Sequence, residues 1–337
     1  MNKHLSRREF LSSGTAFAAA VPVLAGGKAA APAAVQGPFR GTLCMFSKPV
    51  PQLNWRELGR AIKNAGFGGV DLTVRRQGHV LPERAATDLP KAVADIRDAG
   101  IEVPMITTEL LSADDPTAEP IMSTASKLSI PYVKPGYYHY LKPGYYGTKF
   151  LNYPYIDVLK EVNEAGEKFR GLVALAAKHK IQVGYHNHPY YIGAPIWDMF
   201  RVIEPLDPRW CGFYYDLSSA TMEGGVSGWK ISADLVMPRL KMVAAKDFTW
   251  KKVAPHQWRA ELCPVGQGMS HWKTFLQTLA RSNFHGPISL QQEQTIPGVT
   301  GDQGIALSRA AVPAVMAAIK ANLDSLKSLV HEAYELV

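Results

Sequence analysis

The stretch Gln182-Val183-Gly184-Tyr185-His186-Asn187-His188 changes character along its length: an apolar run of strand length breaks into hydrogen-bonding, ionisable side chains. Three more stretches end the same way, Cys211-Gly212-Phe213-Tyr214-Tyr215-Asp216, Met242-Val243-Ala244-Ala245-Lys246-Asp247 and Pro287-Ile288-Ser289-Leu290-Gln291-Gln292-Glu293. Each is followed by a helical pattern. Unbroken β-branched and aromatic runs fit strands buried on both faces of a parallel sheet, and a barrel of such strands gathers its chemistry where they end. The four stretches therefore point to a (β/α)8 barrel with a site at the carboxyl ends of its strands.

Working outward, strand-like runs at 39–47, 69–74, 101–108 and 132–136 bring the number to eight. Helical patterns lie near 54–65, 87–99, 116–128, 157–180, 195–204, 229–237, 270–283 and 304–327. Gly66 and Gly100 stand where helices stop before the next strand. An open doubly wound sheet would need a Gly-rich phosphate-binding turn after its first strand. Lys48-Pro49-Val50-Pro51-Gln52 stands there instead. Residues 35–337 thus read as a single-domain TIM barrel.

The N-terminal segment 1–34 reads as a twin-arginine signal peptide. Ser6-Arg7-Arg8-Glu9-Phe10-Leu11 carries the motif, the apolar stretch 16–24 is too short to span a bilayer, and small residues at 29–34 offer cleavage points. The expectation is a periplasmic or secreted protein that engages the twin-arginine export machinery and has no stable membrane anchor. Net charge is +8 over the 337 residues, and this segment holds four bases and one acid, leaving +5 for the remainder. No Lys/Arg block or nucleic-acid motif accompanies that charge, so a nucleic-acid partner is excluded. The three cysteines include no Cys-x-x-Cys pair, and Cys44 and Cys211 fall inside apolar runs, which reads as buried free thiols.

After the fourth strand the chain reads Tyr137-Tyr138-His139-Tyr140-Leu141-Lys142-Pro143-Gly144-Tyr145-Tyr146-Gly147. Rigid amphipathic rings on a loop at the catalytic end suit stacking on the apolar faces of a sugar, with Tyr138 and Tyr145 as candidates. The competing reading has them covering the barrel mouth or a contact between copies in a homo-oligomer. Arg75 beyond the second strand and Glu109 beyond the third are further substrate-binding candidates, since a guanidinium holds a carboxylate or phosphate bidentately.

Taken in order, several pieces resemble the sugar phosphate isomerase/epimerase family with its xylose isomerase-like TIM barrel. They are Trp55-Arg56-Glu57-Leu58, Gly69-Val70-Asp71-Leu72, Tyr185-His186-Asn187-His188, Asp216 with Glu223-Gly224-Gly225, Lys246-Asp247 and Gly266-Gln267-Gly268. The resemblance spans about residues 40 to 325. It implies one divalent cation held by a Glu, an Asp, a His and a Glu on the fifth to eighth strands. In this chain those positions fall on His186, Asp216, Ala244 and Glu293, and the His that usually follows the Asp by three residues is Ser219. His186, Asp216 and Glu293 form an acceptable shell for manganese, magnesium, cobalt or zinc, and a site without metal is the alternative.

The resemblance further implies a small-molecule carbohydrate substrate and an isomerase or epimerase that removes a proton α to a carbonyl and passes through an enediolate. Glu293 is the expected base or metal ligand, His188 and Gln291 the groups that orient substrate, and Lys246 the cation that holds the developing charge. For Lys246 the bland alternative is an ion pair with Asp216 or Glu293 that braces the barrel mouth. Two other functions stay open: dehydration or cleavage of 3-keto-glycosides at the same site, and a non-catalytic sugar-binding barrel whose metal site has degenerated.

Overall fold

Each apolar run becomes a strand because its side chains are buried on both faces, by the barrel interior and by the outer helices. The computed structural model describes residues 37–140, 155–299 and 307–335. In chain order the strands are β1 (Leu43–Phe46), β2 (Gly69–Val74), β3 (Glu102–Thr108), β4 (Tyr132–Lys134), β5 (Gln182–His186), β6 (Cys211–Asp216), β7 (Leu240–Ala245), β8 (Asp247–Ala254), β9 (Gln257–Cys263) and β10 (Ile288–Leu290). All but β8 and β9 close a parallel barrel, in which β10 pairs with both β7 and β1. The helices are α1 (Trp55–Ala65), α2 (Ala85–Asp98), α3 (Ala118–Lys127), α4 (Val158–Lys178), α5 (Trp197–Ile203), α6 (Leu217–Val236), α7 (Trp272–Arg281) and α8 (Val312–Glu335).

Helix α1 shows how local sequence sets the boundaries. Asn54 Oδ1 accepts from the Glu57 N–H at 2.9 Å while Glu57 Oε2 accepts from the Asn54 N–H at 2.9 Å, a reciprocal cap. At the other end Gly66 takes φ of +93°, which lets its N–H reach back to the last carbonyls.

Two elements differ from the sequence reading. Helix α6 begins directly at Asp216, whose carboxylate accepts from the Ser219 N–H at 2.9 Å and caps it; the helix kinks at Gly225, where φ is +60°. The Gly224-Gly225 pair hid this early start. The second difference is the antiparallel β8–β9 hairpin, inserted between β7 and α7. Beyond Asp247 the sequence carries no strand signal as far as residue 263, because lysines and arginine there mask any alternation. Cys44 and Cys211 are free and buried, and Cys263 is free and half-buried.

Inside the barrel Met105, Tyr214, Met242 and Ala244 form an apolar plug. A carboxylate is also enclosed: Asp71 accepts from Thr107 Oγ1 at 2.7 Å, Ser289 Oγ at 2.9 Å and Tyr214 Oη at 3.2 Å. Burial pushes its pKa up to about 6, against the pull of these hydroxyls.

Candidate active site

A cavity of about 500 Å³ opens at the carboxyl ends of the barrel strands. Lys134 ends β4 and His186 ends β5; Arg75, His188, Gln291 and Glu293 reach the cavity from the turns beyond β2, β5 and β10. The βα turns thus converge as a barrel requires.

Lys246, one residue past β7, is buried, and its ammonium lies 2.8 Å from Asp216 Oδ2 and 3.7 Å from Glu293 Oε2. Asp216 is fully buried and accepts also from Ser219 Oγ at 2.6 Å and His186 Nε2 at 3.3 Å. Burial alone would raise its pKa, but Lys246 and His186 hold it far below the ordinary carboxylate range. Burial would lower the Lys246 pKa, yet Asp216 and Glu293 raise it, so this ammonium stays charged. Glu293 accepts from Lys48 Nζ at 3.0 Å, and against its burial Lys246, Lys48 and His188 bring its pKa down to about 2. The bracing ion pair therefore exists. Among the described residues neither Lys246 nor Asp216 lines the cavity, and the Lys246 ammonium lies beside Glu293, which does.

The two histidines differ in what fixes them. Tyr137 Oη lies 2.8 Å from His186 Nδ1, and burial pushes that phenol well above its ordinary pKa, so it donates and His186 carries its proton on Nε2, toward Asp216. Burial lowers the His186 pKa to about 4 despite Asp216. His188 Nδ1 donates to the Pro189 carbonyl at 3.1 Å, which leaves Nε2 unprotonated; burial, then Lys246 and His186, bring its pKa to about 3. Both rings are neutral at neutral pH.

The tyrosine expectation is corrected in part. Tyr138 is buried in the core, where Oη donates to the Leu111 carbonyl at 2.6 Å and the ring packs on Phe169 and Tyr185. Its apolar neighbours draw it inward, so it offers no face to a substrate. Tyr145 lies outside the described residues. The tyrosine rings on the cavity among the described residues are Tyr137 and Tyr191, stacked with centroids 4.7 Å apart. Arg75 and Glu109 line the cavity, Glu109 accepting from Arg76 Nε at 3.2 Å. Gln291 lines it too, and its Nε2 donates to Tyr214 Oη at 3.1 Å.

Sequence reasoning missed Lys134 and Lys48. Lys134 is buried, and its ammonium sits 3.4 Å from the centroid of the Tyr137 ring. It ends the shortest apolar run, Tyr132-Val133-Lys134, yet the signal was there, since a strand that closes on a lysine is the pattern that singled out Lys246.

The model of the family described as xylose isomerase-like TIM barrel matches residues 60–311. The chain belongs to that family. A comparison with curated proteins finds no match. Among solved structures, a xylose isomerase-like TIM barrel protein from Mycobacterium smegmatis in complex with magnesium is similar at 15% identity and a TM-score of 0.62, over 87% of this chain and 98% of that one. The 3-keto-D-glucoside 4-epimerase from E. coli, in its apo form, has 13% identity and a TM-score of 0.58, over 84% and 99%. The probable 3-DHS dehydratase involved in petrobactin synthesis from Bacillus anthracis has 13% identity and a TM-score of 0.60, over 84% and 98%. At such identities the likeness is one of fold.

One of these barrels holds magnesium, so the donor set of this xylose isomerase-like chain can be tested against a divalent cation. A cation needs carboxylate oxygens and imidazole nitrogens converging at about 2.0–2.5 Å. Here Asp216 and Glu293 converge on the Lys246 ammonium, His186 gives Asp216 its protonated nitrogen, and Ala244 contributes a methyl group to the apolar plug. Among the described residues no group of three or more His, Cys, Asp or Glu side chains is arranged to hold a metal ion. The ligand set His186, Asp216 and Glu293 is therefore corrected: an ammonium stands between its carboxylates, and the residues do not fit a divalent cation.

Proposed function

We propose that this barrel is a carbohydrate isomerase or epimerase that works through an enediolate and uses fixed ammonium groups for the electrostatic role. The observation that carries the reading is Glu293, a carboxylate held ionised on the cavity wall with the Lys246 ammonium beside it. A carboxylate so placed accepts the proton α to a substrate carbonyl. The enediolate that results is an anion, and the positive potential of Lys246 beside Glu293 favours it over the neutral ground state. His188 Nε2, unprotonated, accepts a substrate hydroxyl and orients it; Tyr137 and Tyr191 offer ring faces to the sugar. Delivery of a solvent proton to the other face gives an epimer, and return of the Glu293 proton to the neighbouring carbon, with the hydroxyl proton passing to the former carbonyl oxygen, gives an isomer.

The test is hydrogen exchange. Incubated in deuterated water with a panel of keto- and aldo-sugars, the protein should introduce deuterium α to the carbonyl of its substrate, and Glu293→Gln should lower that rate at least about a hundredfold while substrate still binds. Loss of water or of an aglycone would support the keto-glycoside lyase reading. Binding with no exchange and no product would show a sugar-binding barrel.

We further propose export by the twin-arginine machinery, from the Arg7-Arg8 motif. Among the described residues no helix is long and apolar enough to cross a membrane. Replacing Arg7 and Arg8 by lysine should retain the protein in the cytoplasm on cell fractionation; unchanged fractionation would remove the export reading.

A further inference from the structure

Charge around the cavity does not balance. Lys48 pairs with Glu293, Arg76 with Glu109, and Lys246 is shared by Asp216 and Glu293. Two cations on the cavity lining, Arg75 and Lys134, have no carboxylate within ion-pair distance among the described residues. Arg75 Nε is shut off from solvent and makes no hydrogen bond. Lys134 is buried to within 4% of full enclosure, with the Tyr137 ring 3.4 Å from its ammonium. The two cations also repel each other: after burial, Arg75 is the largest influence that lowers the Lys134 pKa, to about 7. Asp71, within β2, and Glu109, beyond β3, pull it back up, and Lys246, beyond β7, pushes it down.

A buried ammonium without a carboxylate and an orphaned guanidinium N–H on the same cavity destabilise the free protein. An enediolate cannot offset that cost, because it exists only during turnover. A ligand bearing a permanent negative charge can. We propose that Arg75 and Lys134 form the receptor for an anionic group on the substrate, so that the sugar is an acidic one carrying a carboxylate or a phosphate. The planar fork of Arg75 fits either oxyanion, and Lys134 adds a point charge from the side. This inference rests on the carbohydrate reading above for the rest of the ligand but not for its charge.

Calorimetry on the full chain tests it, with D-galacturonate, D-gluconate, D-glucose 6-phosphate and D-glucose as probes and inorganic phosphate as competitor. At least one acidic sugar should bind about tenfold or more tightly than D-glucose, and the better of the carboxylate and phosphate arms identifies the anion. Arg75→Gln and Lys134→Met should each weaken that binding about ten- to a hundredfold and leave D-glucose unaffected. At pH 8 binding should take up a proton, because an anion beside Lys134 raises its pKa; the measured heat then varies with the ionisation enthalpy of the buffer. Lys134→Met should also melt higher than the wild type. That gain is largest at or below pH 7 and fades toward pH 10, since between those values the unfolded chain holds a lysine proton that the fold has released. Equal or tighter binding of D-glucose, acidic probes that neither bind nor compete with phosphate, or an unchanged preference in both variants would overturn the proposal. Acidic binding without hydrogen exchange would leave the anion receptor standing and remove the isomerase; exchange confined to neutral sugars would do the reverse.

Discussion

On the proposed reading Lys246 bears on stability and on chemistry through one atom, and the two can be separated. Lys246→Met leaves Asp216 buried without its main counter-charge, so the fold should lose about 3 kcal/mol in denaturant unfolding as well as at least tenfold in exchange rate. Adding Asp216→Asn removes the stranded charge. The double variant should regain most of the stability but none of the rate, whereas recovery of both would make Lys246 structural alone. Glu293 gives a second residue-level test. Lys48 lowers its pKa, so Lys48→Gln should move the acid limb of the exchange profile to higher pH, toward the ordinary carboxylate value; an unmoved limb would remove Glu293 as base. Asp216, Glu293 and His186 were legible as single residues at strand ends. Their grouping around an ammonium was not, because sequence order does not say which neighbour a side chain turns to.

Among the elements, the segment from β8 to α7 shows the least readable part of the chain doing a definable job. Asp247 accepts four backbone N–H groups: Phe248 at 2.8 Å and Ser270 at 3.1 Å on Oδ1, Gly266 and Gly268 at 3.0 Å each on Oδ2. It ties the far end of the hairpin back to β7. Gly268 is required there, since a Cβ would lie 2.3 Å from Asp247 Oδ1 and 2.4 Å from the Phe248 carbonyl. Asp247→Asn keeps the shape but turns one acceptor into a donor facing N–H groups, so a loss of about 2 kcal/mol is expected in denaturant unfolding. Stability equal to wild type would show that the segment is held by other contacts. The Gly266-Gln267-Gly268 motif was visible in the sequence, but its partner, some twenty residues back, was not, because the hairpin between them hides the return.

For the whole molecule, the alternation of apolar runs and helical patterns was enough to read the barrel, since parallel strands buried on both faces leave that signal directly. Polar chemistry was less legible where burial and pairing decide it. Tyr138 turned inward, Lys134 went unnoticed, and the expected metal shell closed on Lys246. Burial of polar groups also sets how the fold meets acid. His186 and His188 refuse protons until about pH 4 and 3, whereas the unfolded chain accepts them near pH 6.5, so stability falls as pH drops below that value. Asp71, raised to about 6, works in the other direction. Burial likewise brings His79 down to about 4, and with three imidazoles against Asp71 urea unfolding should show a net loss of about 4 kcal/mol between pH 7 and pH 5; a gain would mean that the histidines are not held neutral.

Enolisation in this barrel is proposed to draw its electrostatics from fixed ammonium groups. It is tested most directly by deuterium incorporation into a panel of acidic and neutral sugars, by protein whose metal content has been brought below about one-tenth of an ion per chain and by its Lys246→Met variant. Exchange should proceed at an undiminished rate in the metal-stripped wild type and fall at least about tenfold in the variant. Exchange that appears only when manganese or magnesium is added back, or that survives intact in Lys246→Met, would contradict it.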